Sequence, residues 1–541
     1  MMKNILFLFF PLLLLASACR QEGKDTKEVL HINLPEGLET TDPAFAKNKN
    51  IMWLVHQLYN TLVQTDSSLQ IRPSLAKSWD VSADGRCYTF HLRTDVYFQD
   101  NAAFPQGKGR RLTADDVVYS FRRITDPQTA SSGAWIFNGK IPADSGFVAL
   151  DDSTFRLRLL QPFHPIFGIL SMPYCSIVAH EAVEKYGKDF RRHPCGSGPF
   201  SLKYWDEGQV LILMKNPRYF EKDSLGHSLP YLDAVKFTFV DSKATEFLLF
   251  SQGQLDVMND VDISYKDELL TRTGALKKEF RGKIVLEKHT YLNTEYLGIL
   301  VDSSNTLVKH APLRLQKIRL AINEGFDRDR MMKYLRNNIG VPAHAGFVPE
   351  GLPSFDAAKV KGYRYDPAHA RQLLAEAGFP NGKGLPVIRL YSSEQYADLT
   401  NYIAGQLQET GIPVQVEIQQ ISMLREMAAK SQAAFFRANW IADYPDAESF
   451  LTCFYGKNPA PPNYTRFSDP QFDRLYEQAL AAEQDSVRYH LYREMDRIIL
   501  REAPIVPLYY DQSIRFLHLW VKGLKNNGLN MLELRHARIV K

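Results

Sequence analysis

The sequence predicts an α/β protein in which helices cover the sheets. Apolar and polar residues alternate strictly in residues 88–92 and 155–159, as they do in half-buried strands. Helices are indicated after Asp366-Pro367 and Asp469-Pro470, because aspartate is a good N-cap and proline fits the first helical position. Strands that alternate with helices along a chain are typical of this class.

Composition indicates a large globular protein of two to four domains. Hydrophobic residues make up 45% of the 541 positions and aromatic residues 12%, which is enough for large cores. The net charge of +4 is spread over 65 basic and 61 acidic residues. This balance leaves no basic field for nucleic acid, which we exclude as a partner.

The first residues have the form of an export signal. Lys3 precedes an apolar run over residues 5–15, and the small residues 16–18 precede Cys19. The run is too short to span a bilayer as a helix. The segment around Cys19 resembles a lipobox, in which the cysteine is acylated and anchors the protein to a membrane. An ordinary signal peptide cut near Ala18 is the alternative.

The tether and the first folded elements follow in order. Residues 20–28 are polar and charged, so they are expected to form a flexible linker. Residues 29–34 alternate as a strand does, and residues 51–62 have apolar positions at helical spacing. Thr113 and Asp116 form a capping box that starts another helix.

The second half adds two strands and a helix end. Residues 386–391 and 414–418 are interpreted as strands, and Gly378 is predicted to close the helix that follows Asp366.

Four cysteines lie beyond Cys19, with no Cys-x-x-Cys spacing and no paired histidines, so neither a metal site nor a cofactor is expected. They are Cys87, Cys175, Cys195 and Cys453. Outside the cytoplasm a disulfide is permitted, and Cys175 with Cys195 is the pair to test. Buried free thiols are the favoured alternative.

Segments spread over nearly the whole mature chain resemble the family-five solute-binding proteins, the dipeptide, oligopeptide and nickel receptors of ABC importers. They are PSLAKSW at 73–79, LTADDVVYS at 112–120, GSGPF at 196–200, NPRYF at 216–220, RANWIADYPD at 437–446 and APIVPLYY at 503–510. The last two resemble the oligopeptide receptors in particular. One departure is Asn101, where the family has glycine, followed by an enlarged basic loop to Arg111.

The resemblance implies a periplasmic-binding-protein-like type II fold, with two lobes, a two-strand hinge and an extra subdomain in the first lobe. The implied organisation is a lipoprotein signal peptide at 1–18, a tether at 19–28, lobe I at 29–60, 186–289 and 505–541, the extra subdomain at 61–185, and lobe II at 290–504. Such a protein captures a short peptide in the cleft and delivers it to the permease and ATPase of an importer. We expect a monomer, anchored on the outer side of a membrane through Cys19.

The same resemblance supplies candidate ligand-binding residues. Asp443 aligns with the aspartate that receives the peptide amine, although aspartate before Pro445 is also common in turns. Arg437 matches an arginine that meets the ligand carboxylate, and it could equally pair with a neighbouring acid. Aromatic surfaces are offered by Trp440, Tyr444, Tyr509 and Tyr510, residues that are also frequent in cores.

Two alternatives remain open. A receptor of this fold could bind a nickel complex, haem or an oligosaccharide instead of a peptide. An exported hydrolase is disfavoured, because the chain has no Gly-x-Ser-x-Gly elbow and no His-Glu-x-x-His motif, and no catalytic residue is predicted.

Overall fold

The computed structural model describes residues 27–260 and 266–540. Strands within these residues are β1 (Val29–Asn33), β2 (Val63–Thr65), β3 (Ile71–Pro73), β4 (Ala76–Val81), β5 (Cys87–Leu92), β6 (Phe147–Asp151), β7 (Thr154–Arg158), β8 (Phe200–Asp206), β9 (Val210–Lys215), β10 (Ala234–Thr238), β11 (Val257–Asn259), β12 (Ile284–Ile299), β13 (Val341–Pro342), β14 (Ile388–Ser392), β15 (Val414–Ile418), β16 (Phe435–Ile441), β17 (Ile505–His518), β18 (Val521–Lys522) and β19 (Arg538–Ile539).

Helices in the same residues are α1 (Lys49–Leu58), α2 (Ala114–Thr125), α3 (Ile166–Leu170), α4 (His180–Tyr186), α5 (Lys243–Ser251), α6 (Lys266–Leu269), α7 (Thr306–Lys309), α8 (Gln316–Glu324), α9 (Arg328–Leu335), α10 (Pro367–Glu376), α11 (Ala397–Thr410), α12 (Ile421–Ala429), α13 (Glu448–Leu451), α14 (Pro470–Ala481) and α15 (Asp485–Glu502). In residues 27–260 and 266–540, none of them is both long and apolar enough to cross a membrane.

One large mixed sheet runs through the molecule in the order β15-β14-β16-β12-β17-β11-β1-β10-β9-β8, with β13 also on β17. β16 pairs with β12 only over Asn293 to Ile299, whereas β11 pairs with β17 only over Arg515 to Leu517. These contacts lie at opposite ends of the long β12–β17 ribbon. The ribbon therefore joins two lobes, and its register shifts between Thr290 and Thr294, where the strands pass from one lobe to the other.

The first lobe carries an additional four-stranded antiparallel sheet in the order β4-β5-β7-β6. Its inner face packs on α2, and the aromatic rings of Phe90, Phe121 and Phe155 meet there. This is the extra subdomain that the resemblance implies. The residue numbers predicted for the limits of the lobes and the subdomain stay predictions.

Helix starts follow the local signals in the sequence. Asp366 accepts a hydrogen bond from the amide of His369, and Asp469 from the amides of Gln471 and Phe472, each just before a proline at the start of its helix. At the start of α2, the Thr113 amide donates to the Asp116 carboxylate at 2.8 Å. These three predicted helix starts are confirmed.

The predicted helix over residues 51–62 is too long, because α1 ends at Leu58. The reason is a contact with a loop from elsewhere in the chain, because the Gly198 amide donates a hydrogen bond to the Leu58 carbonyl at 3.0 Å. A Cβ at Gly196 would stand 2.3 Å from that carbonyl oxygen, and one at Gly198 2.4 Å from its carbon. Both glycines therefore permit close approach of two backbones.

The structure describes two features that the sequence left open, the state of the four cysteines and the contacts of the basic loop. The cysteines Cys87, Cys175, Cys195 and Cys453 are free thiols. In the basic loop, Arg110 pairs with Asp116 and Glu181, Lys108 with Asp100, and Arg111 with Asp152. Its cations therefore fasten the loop to the extra subdomain.

Candidate ligand-binding site

Asp443 follows the end of β16, and its backbone is held by bonds to lobe II. The Ala442 amide donates to the Leu292 carbonyl at 2.8 Å, and the Asp443 amide donates to the Ser449 hydroxyl at 3.0 Å. The Trp440 indole N–H donates to the Ser449 carbonyl at 2.6 Å. Ser449, from α13, thus fixes the segment at two points, while the Asp443 side chain takes no part.

The Asp443 carboxylate has no hydrogen bond or ion pair with any residue that the structure describes. Its side chain keeps solvent-accessible surface, but it lies on the wall of a cleft. Loss of surrounding water, and secondly the charge of Glu448, raise the pKa of Asp443 to about 7. A carboxyl group whose pKa is raised in this way is stabilised in its ionised form when a cation is placed close to it.

The cleft contains a cavity of about 510 Å³, a volume suited to a small organic ligand. Lobe I contributes α1 and the C-terminal segment, which is residues 525–536. The extra subdomain contributes the turn at Met172, and lobe II contributes Ile441, Ala442 and Asp443. Asp443 therefore faces a space enclosed by both lobes.

A second cavity of about 260 Å³ lies between α12 and β16. Its walls are mainly apolar and include Leu424, Ala428, Phe436, Ala438, Trp440 and Tyr464. Arg437 lines this cavity as well. Asp443 and Ile441 line both cavities. The smaller space can thus accept an apolar side chain of a ligand whose charged group is near Asp443.

Arg437 is buried in an ion pair with Glu295, and its guanidinium lies 3.3 Å from the ring centroid of Tyr396. The exposed fractions of the two charged side chains are 4% and 3%. The pair forms because β12 and β16 are neighbouring strands, with Leu297 opposite Arg437. The structure thus supplies Arg437 with an internal acid, and its contact with a ligand carboxylate stays a prediction.

The predicted aromatic residues have different surroundings. Trp440 is half-buried and lines the smaller cavity. Tyr444 is buried, donates its hydroxyl hydrogen to Glu448, and packs on Gly168 of the extra subdomain. Tyr509 and Tyr510 are core residues, and Tyr510 donates to the Gly346 carbonyl at 2.7 Å. Their contact with a ligand stays a prediction, and of these four only Trp440 lines either cavity.

The sequence did not identify most of the lobe I residues that line the larger cavity. Trp53, His56, Glu533 and Arg535 line the cavity, although they come from opposite ends of the chain. Glu533 is held ionised, with its pKa well below the ordinary value, chiefly by the Arg535 guanidinium in spite of burial. No local motif marks these residues, since only the fold brings α1 next to the C-terminal segment.

Comparison with known proteins decides the family. The sequence profile of the bacterial extracellular solute-binding proteins, family 5, matches residues 70–462. The chain belongs to this family.

The relatives of this family 5 protein extend over almost its whole length. It is 26% identical over 540 residues to the periplasmic oligopeptide-binding protein OppA of Salmonella typhimurium, covering 95% of this chain and 93% of that protein. It is 25% identical over 508 residues to the glutathione-binding protein GsiB of Shigella flexneri, covering 92% and 91%.

Among solved structures, the ABC transporter-associated periplasmic binding protein DppA of Helicobacter pylori, in complex with the peptide STSA, superposes with a TM-score of 0.75. The two chains are 26% identical, over 95% of this chain and 98% of that one. The predicted family and the two-lobed fold class are confirmed.

Proposed function

We propose that this family 5 protein is an extracytoplasmic receptor that captures short peptides between its lobes, as a monomer, and delivers them to the permease and ATPase of an ABC importer. The names of OppA and DppA, and the peptide bound to DppA, support a peptide as the ligand. The observation that carries the proposal is the unpaired Asp443 carboxylate in the interlobe cavity.

A peptide amine fits this position on physical grounds. An ammonium that leaves water must recover a desolvation cost of several kcal/mol, and a close carboxylate with hydrogen bonds is the usual means. Asp443 has no competing cation among the described residues, and its backbone is fixed by Ser449. The carboxylate is thus available and preorganised.

The test combines a protein variant with a modified peptide. A panel of free peptides of three to five residues is screened by calorimetry, and the tightest binder is the test peptide. Asp443→Asn keeps the shape but removes the charge, so we expect a loss of about 3 kcal/mol, or roughly a hundredfold in affinity. N-acetylation of the peptide removes the partner charge and should cost the wild type a similar amount.

The two losses should not add, because both remove the same interaction. Asp66→Asn is the matched control: Asp66 lines the same cavity but pairs with Arg72 at 2.8 Å, so this variant should keep the preference for the free amine. Equal affinity of the wild type for free and acetylated peptide, or fully additive losses, would refute the role of Asp443.

We further propose that Cys19 is acylated and holds the protein on a membrane surface. Cys19 lies outside the described residues, and the proposal depends on the lipobox-like sequence 15–19 alone. Cys19→Ser should move the protein from the membrane fraction to the soluble fraction of cells. Retention of the variant on membranes at the wild-type level would contradict the anchor.

A further inference from the structure

The extra subdomain touches lobe II directly, through residues that are not part of the β12–β17 ribbon. The subdomain contributes residues 163–168, the bridging segment. The His164 amide donates a hydrogen bond to the Leu480 carbonyl at 3.3 Å, and the Arg488 guanidinium donates to the Nδ1 atom of the His164 ring. Tyr444 and Leu480, both from lobe II, pack against the apolar core that lobe I shares with the subdomain. The two lobes are therefore in contact outside the ribbon.

The bridging segment is fixed to the extra subdomain. The ring of Phe167 packs on the rings of Trp79 and Tyr88, with centroid distances of 5.2 and 5.4 Å. Both partners come from the four-stranded sheet, in β4 and β5. Any motion that separates the subdomain from lobe II therefore carries the bridging segment with it.

Gly168 allows the bridging segment to approach lobe II closely. It lies inside α3, where its φ is not positive and alanine would be the better helix former. A Cβ at this position would stand 3.1 Å from the Tyr444 Cβ and 3.5 Å from the Pro445 Cδ. The contact with lobe II therefore explains the glycine, whereas the local backbone does not require it.

The contact can open without leaving a buried charge unpaired. Arg488 keeps Asp446 and Asp485 as partners within lobe II, at 3.4 and 2.8 Å. His164 is only half-buried, so water can replace the hydrogen bond from Arg488 when the lobes separate. Both sides are thus satisfied in the open and in the closed arrangement, as a reversible interface requires.

The contact borders the large cavity beside Asp443. Residues 171–173, which follow the bridging segment, line this cavity, and so does Asp443, which directly precedes Tyr444. Separation of Gly168 from Tyr444 would therefore open the cavity wall next to the carboxylate that is proposed to bind the peptide amine.

We propose that the extra subdomain is the latch of the closed receptor: the bridging segment closes on Tyr444 and Arg488 after the ligand enters, and its opening sets the rate at which the ligand leaves. This inference depends on the proposed function for the identity of the ligand. Because the latch makes no bond to the peptide, it should affect free and N-acetylated peptides equally.

A reversible crosslink tests whether this contact opens. The 3.1 Å between a Cβ at Gly168 and that of Tyr444 is close to the roughly 3.5–4.5 Å of a disulfide, so Gly168→Cys with Tyr444→Cys should crosslink on oxidation. The variant is loaded with isotopically labelled test peptide, oxidised, and diluted into excess unlabelled peptide. We expect release to be at least about tenfold slower than from the reduced protein, because an enclosed peptide cannot leave. Wild type, whose described cysteines are free thiols, should release the peptide equally with and without reductant.

A wedge at the same position tests the opposite change. Gly168→Leu places a side chain against Tyr444, so the closed state becomes less populated and release of the test peptide should be roughly tenfold faster. Gly405→Leu is the matched control, since Gly405 is also helical, in α11, but a Cβ there meets nothing within 4 Å. N-acetylation of the peptide should cost both variants the same factor as wild type, because neither substitution changes Asp443.

Slow release from the oxidised double variant, together with fast release from Gly168→Leu, supports the latch. Equal release from the oxidised and reduced forms, or an unchanged rate in Gly168→Leu, overturns it, and the proposed function then stands if wild type still discriminates the N-acetyl peptide. If no peptide of the panel binds, the proposed function fails, and hydrogen exchange at the His164 amide, which donates to Leu480, tests the latch alone. Faster exchange in Gly168→Leu than in wild type supports the latch, and equal exchange overturns it.

Discussion

Arg437 and Asp443 belong to one short segment, and the protein treats their charges in opposite ways. Arg437 is enclosed in lobe II with Glu295 as its counter-ion. Asp443 has its backbone bonded to the lobe and its carboxylate left without a described partner. A charged residue in a cleft therefore indicates a ligand when the protein withholds its counter-charge, and not merely because it is charged.

The largest effect should come from removing the counter-ion of Arg437, the residue whose charge is neutralised within the protein. Glu295→Gln leaves the buried Arg437 guanidinium without an anion, and we expect it to lower the free energy of unfolding by about 3 kcal/mol. Urea denaturation measures this change. The double variant Glu295→Leu with Arg437→Met removes both charges and should recover most of the stability. An unchanged midpoint in Glu295→Gln would mean that the pair is not a buried ionic contact.

A second test changes the charge of Asp443, the unpaired residue of the comparison, by pH and not by mutation. The pKa of Asp443 is raised to about 7 in the ligand-free protein, and the peptide ammonium requires the ionised carboxylate. Below pH 6, affinity for the test peptide should therefore fall by about tenfold per pH unit. The reason is that each pH unit below the pKa adds about 1.4 kcal/mol to the free energy of removing the Asp443 proton before the peptide binds. Asp443→Asn should show a flat profile. A wild-type profile that is flat from pH 5 to 8 would contradict this role.

The smallest effect concerns the stability of the empty receptor. An acid whose pKa is raised in the folded state keeps its proton between about pH 4 and 7, where the unfolded chain has lost it, so stability falls as pH rises through this window. Asp443→Asn removes this cost. We expect its melting temperature to exceed that of the wild type by on the order of one degree at pH 8, and by less at pH 5. A lower melting temperature of the variant at pH 8 would show that the carboxylate stabilises the empty protein.

The sequence predicts features that depend on a few neighbouring residues. The aspartates before Pro367 and Pro470 start helices because an N-cap acts within one turn, and strand alternation is visible over five residues. The candidate Asp443 was found because it lies in a recognisable local segment. The unsatisfied state of its carboxylate was not visible at that level.

Features set by distant residues could not be predicted in this way. The Arg437–Glu295 pair depends on the register of β12 against β16, and a shift of one residue would place the two side chains on opposite faces. The end of α1 at Leu58 depends on the backbone of Gly198. The lobe I wall of the cavity needs α1 and the C-terminal segment to meet, which no pattern in either segment indicates.

The position of β17 affects how the protein is made. It lies in the middle of the large sheet, between β12 and β11, yet it is the last of that sheet's strands to leave the ribosome. Until it is synthesised, both neighbours keep open edges and β12 alone joins the two lobes. Pairings between such distant parts of a chain form slowly. Completion of the fold therefore waits for nearly the entire polypeptide.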